Sequence, residues 1–538
     1  MDILEDLHPV CGDSHHFNLH TAYYSFRCLQ THDTRNPLFA LDRFSYYSCP
    51  GGVNLHRVQG ASGKRSRGGR IMKIWIYIFF GIFFLLLALA SWKSYRRNRS
   101  AEEFMLAGKS IGPILGFLTF SAALFSAFTF MGMPDFFRNH GIGAWTFLAL
   151  SDGVMVFFIL WFGYLLRKKA REHNFQGVAG LMVSSYGTKW AGVVMFTSAF
   201  VFLIPYVAIQ IRGISIFLEA AFPGMLPSWV WALIMVVMML VYAEIGGLKA
   251  IVYSDAIQGL ILLMVIWLIG GTCVAAFGNV PNLFKAVEEV NASLLSTPGP
   301  GGLFSWQFLL GSMIAVVMIP VTQPQLTTRL VVIKDLASMR KMAYAVGIFA
   351  ILVITPTIFI GMYGAVKYPG VSTSEFLSQA LLFDQAAPVA ALAIVGLFAA
   401  CLSTTNAQIF ALGNELRSLL KGEEKKVMRI TRISLFFFAA VVMVFSTLMS
   451  DELALLARVS FTGTAMMAPV VLMAVIKKSK PSKGFILISF MAFVTYLLSV
   501  VGVVPDHVGT LRLDLSLYLA LFVLTIGINR ISVINKHA

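Results

Sequence analysis

Few ionisable side chains fall inside the long apolar stretches of this chain, and those that do are the first candidates for chemistry. An unpaired charge at membrane depth costs ~2.5–3.5 kcal/mol on insertion scales, so each one needs a partner or a purpose. Arg212, in Tyr206-Val207-Ala208-Ile209-Gln210-Ile211-Arg212, can pair bidentately with a solute carboxylate. It can equally pair with Asp152 or Glu219, or reach toward the outer surface. The run Ala399-Ala400-Cys401-Leu402-Ser403-Thr404-Thr405-Asn406-Ala407-Gln408 places hydroxyls and amides in an otherwise apolar segment. Hard cations such as sodium take oxygens of this kind, and the same groups also hydrogen-bond neighbouring helices. His140, His173, His507 and His537 lie near the ends of apolar runs or in loops, which leaves no buried imidazole pair for acid–base or metal work. No enzyme is expected.

The elements that must hold these residues follow from composition. Hydrophobic residues make up 57% of the chain and charged ones 13%, with a mean hydropathy of +0.77, too apolar for a water-soluble core. The expected fold is an all-α polytopic membrane protein, and from Met72 onward there is room for about thirteen spans with short connections. The net charge of +16 sits in short clusters between apolar runs, as the positive-inside rule requires, so no nucleic-acid partner is expected. Lys93, Arg96, Arg97 and Arg99, then Arg167 to Arg171, Arg329 to Lys341, Lys421 to Arg432 and Lys477 to Lys483, all fall on one side if every apolar run crosses once. That predicts a multi-pass protein of the cell membrane with its N-terminus outside and its C-terminus in the cytoplasm.

Two spans are expected to break. The second, about Ile114 to Met133, carries Ser121-Ala122-Ala123, Ser126, Gly132 and Pro134. The seventh, about Phe304 to Val321, carries Gly311, Ser312 and Pro320 and enters from the opposite side. Interrupted helices in matching positions of two halves point to a transporter site at the membrane midplane, although any one small residue also serves close helix packing. Residues 1–71 differ in kind: they hold Cys11, Cys28, Cys49 and a histidine cluster with no sustained apolar period and no metal-ligand spacing. They are expected to be a poorly ordered extension, from a start assigned upstream of Met72, leaving 72–538 as the transmembrane domain. Cys273 and Cys401 fall in apolar segments and are expected to pack.

Gly246-Gly247-Leu248-Lys249-Ala250-Ile251-Val252-Tyr253-Ser254-Asp255-Ala256-Ile257-Gln258 is the most distinctive string. Its paired glycines predict a tight cytoplasmic turn, with Ser254-Asp255 placed to cap the next helix. This string resembles the signature of the sodium/solute symporter family, relatives of the sodium-coupled glucose, proline and pantothenate permeases. The likeness extends to Phe104-Met105-Leu106-Ala107-Gly108-Lys109-Ser110, Gln325-Leu326-Thr327-Thr328-Arg329 and Leu402-Ser403-Thr404.

The resemblance implies a LeuT-like core of two inverted five-helix repeats with extra terminal helices. It implies a sodium site made by the carbonyls of Ala122, Phe125 and Ala400 and the hydroxyls of Ser403 and Thr404. Asp255 matches an acid that in some members helps hold a second sodium, together with hydroxyls at the positions of Asn406 and Ala407. An amide and a methyl stand there in this chain, so one ion per cycle is expected. Solute contacts are expected from Ser126, Thr129, Arg212, Gln323 and Thr462. The sparse polarity of Met313 to Ile319 and Ile348 to Ile360 argues against a sugar. A monocarboxylate or pantothenate-like acid is expected, with proline or another amino acid as the alternative. Sodium serves as coupling ion and no cofactor is expected; the partners are the solute, the ion and the lipid bilayer. A transporter-like sensor is the competing class, tested by transport in purified vesicles.

Overall fold

The computed structural model describes residues 56–95, 107, 110–173, 177–449 and 452–537, and of these only the backbone at 56–70, 91–95, 242–247 and 532–537. The chain divides into units of residues 1–62 and 63–538. The extension expected at 1–71 lies mostly outside the described residues.

Every apolar run forms a helix, because a backbone without water must satisfy its own N–H and C=O groups. The elements are α1 (His56–Tyr95), α2 (Pro113–Leu124), α3 (Met133–His140), α4 (Ser151–Glu172), α5 (Val178–Tyr186), α6 (Lys189–Ala221) and α7 (Ser228–Ala275). There follow α8 (Val280–Asn291), α9 (Trp306–Val317), α10 (Ile319–Thr322), α11 (Pro324–Val332), α12 (Leu336–Lys367), α13 (Thr373–Ser378) and α14 (Ala387–Leu419). The last are α15 (Glu424–Leu448), α16 (Leu453–Ala465), α17 (Ala468–Ile476), α18 (Gly484–Val500), a small hairpin of β1 (His507–Val508) and β2 (Leu511–Arg512), and α19 (Leu513–His537).

Among the described residues, eight helices are long and apolar enough to cross a membrane, or up to eleven if each sharply bent pair is one span. Two shorter apolar helices, Ser228–Val241 and Gly484–Val500, would bring the number to thirteen only if each crossed on its own, and Ser228–Val241 continues into the helix that follows it. The polarity of burial orders the bundle: 78% of the apolar window of α14 is buried inside the protein, against 22% in α1, α15 and α19. α14 is therefore the central post, and the other three present leucine, isoleucine and phenylalanine to lipid.

The second span breaks as expected. α2 and the helix from Phe128 to His140 meet at 59° across Phe125–Ala127, with Phe125 extended at φ −90° and ψ 129°. In the seventh span the helix runs unbroken through Gly311 and Ser312. It yields at Met318 and again at Gln323, with Pro320 two places after Met318 and Pro324 directly after Gln323. Proline has no N–H for the ladder and excludes helical geometry from the residue before it, so it, rather than the small residues, sets this break.

One expectation fails outright. The backbone is helical without interruption from Ser228 to Ala275, so Gly246-Gly247 forms no turn. Glycine lowers helix stability by only ~1 kcal/mol per residue relative to alanine, and neighbouring packing overrides that.

Around the post, α2, α7 and α11 all pack on α14, and α2 also packs on α7, α11 and α12. α6 lies against α14, α7, α15 and α16. Gly361 lets α12 approach α3 closely, since a Cβ there would fall 2.6 Å from the Pro134 carbonyl oxygen. The break of the second span thus sits where α2, α6, α7, α11 and α14 converge.

Candidate functional site

Breaking a helix exposes carbonyls and N–H groups that must find partners. At the second span, α6 supplies them. The Ala127 N–H donates to Oε1 of Gln210 at 3.0 Å, and Gln210 Nε2 donates to Ser126 Oγ at 3.2 Å. The Tyr206 hydroxyl donates to the Leu124 carbonyl at 2.9 Å and lies 3.3 Å from Ser126 Oγ. Ser126 also accepts from the Phe128 N–H at 3.1 Å, while its own N–H donates to Thr129 Oγ1 at 3.2 Å. All four side chains are buried. Ser126 and Thr129, expected as solute contacts, here hold the break in shape.

Gln210 and Tyr206 are one turn apart on α6 and so share a face, whereas Arg212 is two residues past Gln210 and turned by about 200° around the helix. Arg212 is half-buried. Sequence reading went to the charge in that segment and passed over the tyrosine and the amide, although both lay in the same quoted string.

On the other side of the break stands α14. Ser403 Oγ and Thr404 Oγ1 each lie 3.2 Å from the Ala122 carbonyl oxygen. Phe125 leaves the helical ladder three residues on, and Ala400 lies one turn before the two hydroxyls. The oxygens of Ala122, Ser403 and Thr404 therefore converge, all neutral and all buried. Neutral hydroxyl and carbonyl oxygens suit a hard monovalent cation, without the cost of a buried carboxylate. Among the described residues no group of three or more His, Cys, Asp or Glu forms a metal cluster.

Asp255 sits directly beside this set. Its Oδ1 accepts from Ser403 Oγ at 2.7 Å, and its Oδ2 accepts from Thr119 Oγ1 at 2.5 Å. Arg329, on α11, closes the arrangement: one terminal nitrogen meets Asp255 Oδ2 at 2.8 Å, the other meets the Gln325 carbonyl at 2.8 Å, and Nε reaches the carbonyl and hydroxyl of Thr119 at 3.0 and 2.9 Å. Asp255 is 0% and Arg329 1% exposed, so the two charges face each other out of contact with solvent. Asp255 was expected to cap a helix or hold sodium; in this structure it bonds an arginine that joins α7, α2 and α11.

The remaining expected residues lie in the same layer with different surroundings. Gln323 is buried at the second break, where its Oε1 accepts from Gln325 Nε2 at 2.6 Å. Its Nε2, Gln325 Oε1 and both amide atoms of Gln258, Asn406 and Gln408 have no hydrogen-bond partner among the described residues. Thr462 is buried on α16, whose neighbour Phe461 packs edge-on against Tyr206 at 5.1 Å.

The sodium:solute symporter family model matches residues 104–492, most of the chain. The chain belongs to the sodium:solute symporter family. The sodium/pantothenate symporter of Haemophilus influenzae is 27% identical over 59% of this chain and 63% of its own length. The osmoregulated proline transporter OpuE of Bacillus subtilis is 22% identical over 70% of this chain and 78% of its own. Several of the curated relatives are matched over only about half to two thirds of their length. Among solved structures, a substrate-bound outward-open sodium-coupled sialic acid symporter superposes with a TM-score of 0.64 over 80% of this chain and 91% of that one, at 14% identity. At that identity the likeness carries the fold, which is LeuT-like, to this symporter-family chain.

Proposed function

We propose that the chain couples entry of one sodium ion to uptake of a small organic acid by alternating access. The observation that carries the reading is the meeting of Ser403 and Thr404 with the Ala122 carbonyl at a broken helix. Sodium at this place would be bound by Ala122, Phe125 and Ala400 carbonyls and the two hydroxyls. It would replace the hydroxyls' contacts with Ala122 and pull α14 and the break into one geometry. If sodium and solute both favour that geometry, each raises the other's affinity, typically by ~1–3 kcal/mol. Inward passage of the ion's charge adds ~2.3 kcal/mol per 100 mV of membrane potential.

A single ion per cycle is supported by Arg329. A second sodium at Asp255 and Asn406 would have to sit beside a guanidinium already bonded to that carboxylate, at 2.8 Å, and Ala407 offers it no oxygen. For the solute, the sparse polarity of Met313 to Ile319 and Ile348 to Ile360 favours a small molecule with one carboxylate and few further polar groups over a sugar. A pantothenate-like acid or another monocarboxylate comes first. Proline is the second reading, favoured by the relative from Bacillus subtilis. Ser126, Thr129, Gln323 and Thr462 are proposed solute contacts, with Gln210 beside them and Arg212 reaching the solute only if α6 turns. The positive-inside pattern supports a cytoplasmic C-terminus and an external N-terminus in the cell membrane.

The test is uptake of labelled pantothenate, lactate, pyruvate and proline by the purified chain in liposomes, with and without an inward sodium gradient. Sodium-dependent uptake of an acid that is lost in Ser403→Ala supports the reading. Uptake indifferent to sodium overturns the coupling.

A further inference from the structure

At the end of α4 a cavity of about 110 Å³ is lined by Arg167, Ala170, Arg171, Val331 and Lys334. Three of these five residues are cations. A water occupies ~30 Å³ of liquid, so the space holds roughly four waters or one small tetrahedral oxyanion.

Arg167 is the built part of this pocket. It is 6% exposed, and one terminal nitrogen donates to the carbonyls of Leu330 at 3.1 Å, Val331 at 3.4 Å and Ile333. Those carbonyls end α11, so Arg167 caps that helix and its partial negative charge. The Arg167 Nε has no partner among the described residues, and a buried N–H in that condition favours taking up an acceptor. Arg171 is one turn further along the same face, and Lys334 is half exposed at the rim. The nearby carboxylate, Asp335, lies 3.8 Å from Lys334 and caps α12 through the Ser338 N–H at 2.7 Å. That bond holds Asp335 below the ordinary carboxylate range, so it stays anionic and offsets part of one cation, leaving the pocket positive.

We propose that this pocket binds a phosphate group, carried by an anionic lipid headgroup or present as free phosphate. Planar guanidinium donors beside a lysine match phosphate oxygens, and basic pockets between membrane helices recruit such headgroups. The bound anion would brace α11 at its far end. α11 is the same helix that carries Arg329 to Asp255 and Thr119, so the anion site lies on the mechanical continuation of the ion-site cluster.

Equilibrium binding to the purified full chain in detergent and potassium buffer tests this, with radiolabelled orthophosphate in one arm and radiolabelled dioleoylphosphatidylglycerol in the other. Saturable binding of either probe, weakened about tenfold or more in Arg171→Gln/Lys334→Gln, is the expected result, since the variant removes two charge-assisted contacts and tenfold corresponds to ~1.4 kcal/mol in all. Lipid binding alone assigns the headgroup, phosphate binding alone the free anion. No saturable binding in either arm, or binding unchanged in the double variant, overturns the proposal. The melting temperature without probe shows whether the double variant is folded; if it is not, Lys334→Gln alone replaces it. No transport is read, so the outcome is independent of the transport reading.

Discussion

The freed backbone of the second span is held by another helix, whereas that of the seventh is held by its own neighbours. At the first break Gln210 and Tyr206 of α6 bond Ala127, Ser126 and Leu124. At the second, the Thr327 hydroxyl turns back to the carbonyls of Pro320 and Gln323, both at 2.9 Å, and Gln325 bonds Gln323. Two buried amide side chains at this break, Gln323 and Gln325, each keep an atom without a partner among the described residues. A fixed break suits a site that must present carbonyls to an ion in one geometry. A self-held break with unpaired amides suits one that receives a solute and moves. Arg329 is what ties the two together, running from Gln325 at the second break to Thr119 and Asp255 beside the first.

Cutting that tie should have the largest effect. Arg329→Met leaves Asp255 charged and buried without its counter-ion, and breaking one side of a buried pair costs about 3–5 kcal/mol. A marked fall in melting temperature in detergent is expected. Arg329→Met with Asp255→Asn should recover most of it, because no lone charge remains. A single variant as stable as the parent would mean that Asp255 already carries a proton and that the two breaks are not electrostatically joined.

Next comes the clamp. Gln210→Leu removes the acceptor of the Ala127 N–H and a donor to Ser126, and the stranded N–H costs ~1–3 kcal/mol. If the first break serves the ion, the variant should need severalfold more sodium for half-maximal uptake while its solute affinity stays nearly unchanged. An equal loss in both would dissolve the distinction between the breaks.

Gln323→Leu probes the opposite case. Its Nε2 strands nothing, but its Oε1 is the acceptor of Gln325 Nε2, so stability should fall by ~1–3 kcal/mol, while solute affinity falls by about tenfold if the Gln323 N–H meets the solute. Thermal unfolding and uptake kinetics on one preparation separate the two effects.

How much of this was written plainly in the chain differs between the same regions. The break at Ser126 and the Ser403–Thr404 pair were legible, because small and polar residues in an apolar run have few other reasons to be there. Tyr206 and Gln210 were not: an i, i+4 pair shows which face it shares, but nothing local says that the face meets a helix break about 80 residues earlier. The Asp255–Arg329 bond was hidden in the same way, both residues standing in family strings 74 positions apart. Gly246-Gly247 misled for the opposite reason. A strong local turn signal was overruled by the helix on either side of it. The seventh-span break was found but laid at Gly311 and Ser312 as well as Pro320, whereas the prolines alone set it.

Arg212→Gln should have the smallest effect of all. The charge suggested a carboxylate clamp, but the break-facing side of α6 is already defined by Tyr206 and Gln210, and Arg212 lies about 200° around the helix from Gln210. If α6 keeps this rotation throughout the cycle, Arg212→Gln changes solute affinity by less than about threefold, under ~0.7 kcal/mol. A loss of tenfold or more, confined to acids and absent for a neutral analogue, would mean that α6 turns during transport and brings the guanidinium to the solute. The first break would then be clamped in one state only, and the contrast between the two breaks would describe that state rather than the whole cycle.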